Sequence, residues 1–213
     1  PFGGEKMKEY AIYLFDFDGT LFDTKLSLRK VWKDAFAAIG EKVTDEQCDH
    51  YMHQNLFQTL DERNVKKEDY PAFGAALTAS IDDPGTVAQN VPFPETKAVL
   101  DSLRAKGKRI GIVSGNSVHH IQLVLAHWGY SGIADVLMGC DVYEHGKPSP
   151  EPLLFALRNL GEAPSPTVVY VGDSLQDIEA ADAAGIESFL IDREEEHPDF
   201  PRPRLKGLAE LLS

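Results

Sequence analysis

The sequence predicts an α/β protein built on a doubly wound, Rossmann-like parallel sheet, with an all-helical subdomain inserted after the first strand. Three observations lead there. Short apolar runs at Ile12–Phe15, Arg109–Val113 and Val168–Val171 each stop at glycine or small polar residues. From Thr96 onward such runs alternate with stretches of helical length and pattern, the rhythm of βαβ units. Between the first two runs lies a long stretch with helical character and no clear strand, too long for a simple crossover and without a sheet to bury against.

The elements follow in order. Ile12–Phe15 reads as a buried strand. Thr24–Ile39, Asp45–Leu60 and Glu68–Ser80 read as helices, the first carrying an apolar stripe of Leu26, Val31, Ala35 and Ile39. They define a helical cap subdomain over residues 22–91, set into a core formed by residues 7–21 and 92–213. Hinges are expected near Leu21–Asp23 and in the Pro/Gly-containing stretch Asp82–Glu95. The core then resumes with helix Thr96–Ala105, strand Arg109–Val113, helix Val118–Trp128, short strand Asp135–Met138 and helix Pro150–Leu160. Strand Val168–Val171, helix Leu175–Ala184, strand Glu187–Leu190 and a closing helix Leu205–Leu212 complete it. The charged, proline-rich run Glu194–Arg204 is expected to wrap the surface, and Pro1–Lys6 reads as a disordered leader.

Composition narrows the function classes. The chain has 213 residues, 43% of them hydrophobic, enough for one good core plus a smaller unit. A formal net charge of −13 argues against a nucleic-acid polymer as partner, because an acidic surface gains nothing from a phosphate backbone. Cys48 and Cys140 suggest neither a disulfide framework nor a zinc site and read as buried thiols. No signal peptide or membrane-spanning segment is evident, so no membrane partner and a cytoplasmic location are expected. The oligomeric state stays open between monomer and homodimer.

The run FDFDGTLFDT places Asp16 and Asp18 two residues apart, where the first strand runs into a glycine turn. Ligands of open α/β sheets collect beyond the carboxyl ends of the strands, so both acids sit at the reactive edge. Two close carboxylates raise each other's proton affinity unless a cation offsets them, and a hard cation such as Mg²⁺ takes such oxygen ligands. A solvated Asp-Gly turn would account for the same letters. The second run ends in Ser114, Gly115 and Asn116, where the hydroxyl and following N–H groups can cradle phosphate oxygens at a helix start; Ser114 and Asn116 can equally cap that helix. Lys147, in EHGKPSPE, is a compact charge suited to a phosphoryl oxygen, although a surface lysine is the commoner occurrence. Asp173 and Asp177, four apart in GDSLQD, lie around a helix start as metal ligand and supporting carboxylate, or as capping acids.

Taken together, FDFDGTLFDT, Ser114 with Gly115, Lys147 with Pro148, and GDSLQDIEAADAAG resemble the four ordered motifs of the haloacid dehalogenase-like hydrolases, from Asp16 to Gly185. Within them the chain is most similar to the phosphoglycolate phosphatase and β-phosphoglucomutase branch, which carries a helical cap between the first and second motifs. The resemblance implies Mg²⁺-dependent hydrolysis of a small phosphomonoester, of phosphoglycolate, sugar phosphate or nucleotide type. Asp16 would be the nucleophile that becomes an aspartyl phosphate, and Asp18 the general acid and then general base. Ser114, Gly115 and Asn116 would hold the phosphoryl oxygens with Lys147 neutralising them. Mg²⁺ would be bound by Asp16, the Asp18 carbonyl and Asp173, with Asp177 as a direct or supporting partner. Gly19 and Thr20 would form the turn against the phosphate. The haloalkanoate dehalogenases lack an acid matching Asp18, so the resemblance favours phosphate esters.

The Ser-Gly-Asn form of the second motif resembles neither the Thr-Asn usual in phosphoglycolate phosphatases nor the Ser-Ala-Arg or Ser-Ser of many sugar phosphomutases. Two alternatives therefore stand beside the phosphatase: a phosphomutase acting on sugar phosphates, and a noncatalytic phosphate-binding regulatory protein. The cap is expected to exclude water and choose the substrate. Arg29, Lys30, Trp32, His50, His53, Gln54 and Arg63 are its candidate specificity groups, while His119 and His120 read as helix-surface residues.

Overall fold

The computed structural model describes residues 7–213; the leader expected at Pro1–Lys6 lies outside them. Strand β1 (Ile12–Phe15) is wholly buried. The chain then runs through β2 (Phe22–Asp23), α1 (Lys25–Ala37), α2 (Asp45–Tyr51), α3 (Leu56–Glu62), a 3₁₀ turn (Lys67–Asp69), α4 (Tyr70–Ile81), α5 (Pro84–Ala88) and β3 (Val91–Pro92). After that come α6 (Thr96–Ala105), β4 (Arg109–Val113), α7 (Val118–His127), β5 (Val136–Met138), α8 (Glu151–Asn159) and β6 (Val168–Gly172). The chain closes with α9 (Leu175–Ala184), β7 (Glu187–Ile191), β8 (Arg204–Leu205) and a 3₁₀ helix (Leu208–Leu212).

Six strands form one parallel sheet in the order β5-β4-β1-β6-β7-β8. Phe15 of β1 stands opposite Ile112 of β4 on one side and Val171 of β6 on the other. Parallel strands in this register end level, so the residues after β1, β4 and β6 emerge together. Strand order reverses beside β1, the point at which open α/β sheets bind ligands.

Alternation along the strands sends Ile12 and Leu14 to one face, where they join Val168, Tyr170 and the apolar sides of α8 and α9 through Leu153, Leu157, Ala180 and Ala184. Leu14, Leu153 and Leu157 are fully excluded from water, each contributing roughly 1.5–3 kcal/mol by area. Helix α6 packs against β4 and the closing 3₁₀ helix. Gly185, in the left-handed conformation, ends α9 and lets the chain turn into β7.

Two compact units are present: Asp23–Val91, and the remainder of the described chain. The passages at β2 and β3 pair as a two-stranded ribbon. The helical unit has its own core of Trp32, Phe36, Cys48, Tyr51, Leu60 and Phe73. Phe36 and Phe73 meet edge to face at 5.0 Å, and Trp32 and Tyr51 at 5.4 Å.

Four expectations are corrected. The single helix expected over Asp45–Leu60 is two, because Asn55 and Gln58 form a capping box that starts α3 afresh. The closing helix is instead strand β8 and a 3₁₀ helix, with the Asp192 N–H donating to the Leu205 carbonyl at 2.8 Å. His120 is buried, on the α7 face with Ile121, Val124 and Leu125. Cys140 is exposed, while Cys48 is buried; both are free thiols. No helix among the described residues is long and apolar enough to cross a membrane.

Candidate active site

Asp16 continues the β1 ladder, its N–H donating to the Val171 carbonyl at 2.9 Å, and is 7% exposed. The chain then turns tightly: Gly19 N–H donates to the Phe22 carbonyl at 2.8 Å and Leu21 N–H to the Phe17 carbonyl at 3.0 Å. Gly19 has φ +75°, and a Cβ there would overlap the Asp173 carboxylate, so backbone and acid approach as closely as only glycine allows. Thr20 is buried, and its carbonyl accepts from Arg193 Nη2 at 3.1 Å. The Arg193 guanidinium lies 3.6 Å over the Phe93 ring and donates to Glu95 at 2.7 Å, tying this turn to the start of α6.

Beyond β4, Ser114 is fully buried and its N–H donates to the Met138 carbonyl at 2.9 Å. Neither Ser114 nor Asn116 caps α7; Ser117 does, accepting from His120 N–H at 3.1 Å. Ser114 Oγ instead accepts the Asn116 N–H at 3.1 Å, and Gly115 is exposed between them. The Asn116 side-chain amide donates to Asp18 Oδ2 at 2.7 Å.

Lys147 joins the motifs. Its ammonium donates to Asp16 Oδ1 at 2.9 Å, Asp177 Oδ1 at 2.6 Å and Tyr170 Oη at 2.9 Å. Burial works against the ammonium, but the Asp16 and Asp177 charges win and hold it firmly protonated. Asp177 is saturated: Oδ1 accepts from Lys147 and from Tyr170 at 3.0 Å, and Oδ2 from Asp173 N–H, Ser174 N–H and Ser174 Oγ. With Ser174 it also forms the capping box of α9, so the capping role and the ion pair coexist. A Cβ on Gly172 would overlap this carboxylate.

Asp16, Asp173 and Asp177 each bring a carboxylate oxygen within 4.8 Å of the others. Burial pushes Asp16 up to about 7, with the Asp177 charge adding, Lys147 opposing and Asp18 adding further. Asp173 is pushed well up, first by burial and then by the charges of Asp16 and Asp177. Asp177 is held low; burial opposes this, but Lys147 and the Ser174 donors outweigh it. One lysine cannot balance two buried acids and a half-buried third, and the donor set is all oxygen, so the cluster fits a hard divalent cation. Asp16 and Asp173 are the pair able to face it, because the Asp177 oxygens are already taken.

Two contributors were missed from sequence. Tyr170 sits inside β6 as a phenol in an apolar run, two residues before the reactive edge, which was the available signal. Tyr143 donates to the Ser114 carbonyl at 2.8 Å, and no pattern marked it. In the helical unit, Arg29 forks onto Asp49 at 2.6 and 2.5 Å, Lys30 pairs with Asp34, Arg63 with Glu41, and His50 and Gln54 with Glu62, while Trp32 is core.

Carboxylates, a buried lysine and a small-residue loop at the switch point of a parallel sheet have the chemistry to handle a phosphoryl group. The chain belongs to the haloacid dehalogenase-like hydrolases, whose family profile matches residues 13–191. It is 28% identical over 209 residues to the phosphoglycolate phosphatase of Aquifex aeolicus, covering 94% of this chain and 96% of that one. It is 27% identical over 206 residues to the N-acetylmuramic acid 6-phosphate phosphatase of Pseudomonas aeruginosa, covering 92% and 87%. Among solved structures, a haloacid dehalogenase-like hydrolase assigned as such in Bacteroides fragilis superposes with a TM-score of 0.82 at 27% identity, covering 92% and 96%. The protein is a phosphatase of this family, a phosphoric monoester hydrolase acting on small phosphorylated substrates.

Proposed function

We propose that the protein hydrolyses a small phosphomonoester of the phosphoglycolate type, with Mg²⁺ as its cation and a phosphoryl group carried transiently on Asp16. The observation that carries this reading is Lys147 Nζ held 2.9 Å from Asp16 Oδ1 and 2.6 Å from Asp177 Oδ1, at the carboxyl end of β1. A phosphate dianion is repelled by a carboxylate nucleophile until positive charge is placed between them, and Lys147 supplies part of it. Asp16 and Asp173, with the Asp18 carbonyl and with Asp177 supporting, would hold Mg²⁺, which would supply the remaining charge neutralisation.

In the first half-reaction an Asp16 oxygen attacks phosphorus, the bond to the alcohol oxygen breaks, and Asp18 gives that oxygen its proton. In the second, Asp18 takes a proton from water as the water oxygen attacks phosphorus, freeing inorganic phosphate and Asp16. Ser114 and the Gly115 N–H hold the phosphoryl oxygens. The helical unit over residues 22–91 is assigned the role of cap and substrate selector, and a cytoplasmic setting fits an enzyme of small phosphorylated metabolites. Relatives of similar identity act on different esters, 28% for the phosphoglycolate phosphatase of Aquifex aeolicus and 27% for the N-acetylmuramic acid 6-phosphate phosphatase; the phosphoglycolate reading is supported by the further phosphoglycolate phosphatases among them, at 26–32% identity.

The test is inorganic phosphate release from a panel of small phosphomonoesters, with and without Mg²⁺. Metal-dependent release, fastest on a short phosphorylated hydroxy acid, is expected. No release from any ester by the wild-type protein would overturn the reading.

A further inference from the structure

We propose that Asn116 is a positioning residue for the reaction, its amide aiming the Asp18 carboxylate at the leaving oxygen. This rests on the reading of Asp18 as the general acid. Sequence alone gave Asn116 a share in holding phosphate; the geometry points elsewhere, because Nδ2 donates to Asp18 Oδ2 at 2.7 Å across 98 positions of chain.

Both ends of this contact are fixed. On one side, Asp18 forms a parallel bridge to Phe22 and the next N–H, of Gly19, donates to Phe22 O, so the Asp18 backbone cannot swing. On the other, the Asn116 N–H donates to Ser114 Oγ at 3.1 Å and its carbonyl accepts the Cys140 N–H at 2.9 Å. Asp141 Oδ1 accepts the Val118 N–H at 2.9 Å, and the Tyr143 hydroxyl holds the Ser114 carbonyl at 2.8 Å. Residues 138–143 thus brace the loop from which Asn116 reaches Asp18. A carboxylate on a turn still has rotational freedom about its side chain, and one strong donor to Oδ2 removes it.

An amide suits this task. It donates without titrating and adds no charge beside the acid, whereas a lysine or arginine would compete with Lys147 for the phosphoryl group. The step it serves is proton delivery: the Asp18 proton passes to the alcohol oxygen as the phosphorus–oxygen bond breaks, and that oxygen leaves as the neutral alcohol. Proton delivery matters for an alkyl ester, whose alkoxide is a poor leaving group, and matters little for an aryl ester such as p-nitrophenyl phosphate.

The experiment compares kcat/KM, which covers the steps through departure of the alcohol and leaves out the hydrolysis step common to all esters, on an alkyl phosphate and on p-nitrophenyl phosphate for wild type, Asn116→Ala, Asn116→Asp, Asn116→Gln and Asp18→Ala. The ratio of alkyl to aryl kcat/KM should fall about tenfold in Asn116→Ala, and by at least as much in the isosteric Asn116→Asp, which as a carboxylate keeps the shape and cannot donate. Asn116→Gln, which keeps the donor, should recover part of the ratio. Equal losses of kcat/KM on both esters would assign Asn116 to phosphate binding or to loop structure and overturn the proposal. If Asp18→Ala lowers the ratio and the Asn116 variants do not, only the positioning role fails. If Asp18→Ala also leaves the ratio unchanged, the general-acid reading beneath it fails too.

Discussion

Lys147 Nζ and Asp16 Oδ1 are 2.9 Å apart although 131 positions separate the two residues in the chain. The contact exists because β1 and β6 end level and the loop before α8 returns its lysine to that edge. The lysine is saturated by Asp16, Asp177 and Tyr170, so it has one place to be. Replacing it with alanine leaves three acids without their internal cation. Lys147→Ala should lower kcat on the order of 10²-fold and weaken inhibition by inorganic phosphate, read by steady-state kinetics. Unchanged kinetics would make the lysine a structural counter-ion.

Gly172 carries the same logic on the backbone. A methyl there would overlap Asp177, which in turn holds Lys147. Gly172→Ala should therefore reduce kcat at least tenfold through displacement of Asp177, with a folded circular dichroism spectrum. Full activity in that variant would mean that the Asp177–Lys147 pair is dispensable.

The acid cluster predicts a pH dependence of stability. Asp16 is raised in the folded protein from 3.8 to about 7, and Asp173 is raised with it. Between those values the folded state binds more protons than the unfolded one, so their contribution to stability is greatest at low pH and falls as pH rises toward about 7. A divalent cation such as the proposed Mg²⁺ would bind the deprotonated acids and offset that loss. The Mg²⁺-induced rise in Tm should accordingly be larger near pH 7 than near pH 5, as thermal melts would show. Asp16→Asn should raise the Tm measured in chelator and abolish the Mg²⁺ effect.

Asp192 has the opposite sign. Burial would raise it, but Arg204 and the N–H groups of His197 and Glu196 hold it below the usual carboxylate value. Its stabilising contribution is complete at neutral pH and is lost as pH falls through the lowered value. Arg204→Ala, which leaves the buried carboxylate without its cation, should cost roughly 2 kcal/mol in urea unfolding at neutral pH, and less in acid.

Much of this was legible in the sequence. The strands that stop just before Asp16, Ser114 and Asp173 are short apolar runs with abrupt polar ends, the pattern of strands buried on both faces. The helical stretch between β1 and β4 also stood out, and Val31 and Ala35 of its expected stripe are buried, whereas Leu26 is 68% exposed and the buried face runs instead through Trp32 and Phe36. Less legible were features set by tertiary contact. Asn55 splits one expected helix because its capping box competes with continuation, and β8 is only two residues long, recruited by pairing with β7. The commitment of the Asn116 amide to Asp18 depends on two loops meeting, which spacing does not encode. Tyr170 read as one more apolar strand residue, although its hydroxyl reaches Lys147 and Asp177.

The most direct measurement is acid-quenched trapping of the enzyme during turnover of a phosphorus-labelled ester, followed by peptide mapping. The account predicts acid-stable, base-labile label on the peptide containing Asp16, dependent on Mg²⁺ and absent from Asp16→Asn, which should be inactive. Rapid turnover with no labelled peptide, label on another residue, or wild-type turnover by Asp16→Asn would contradict it.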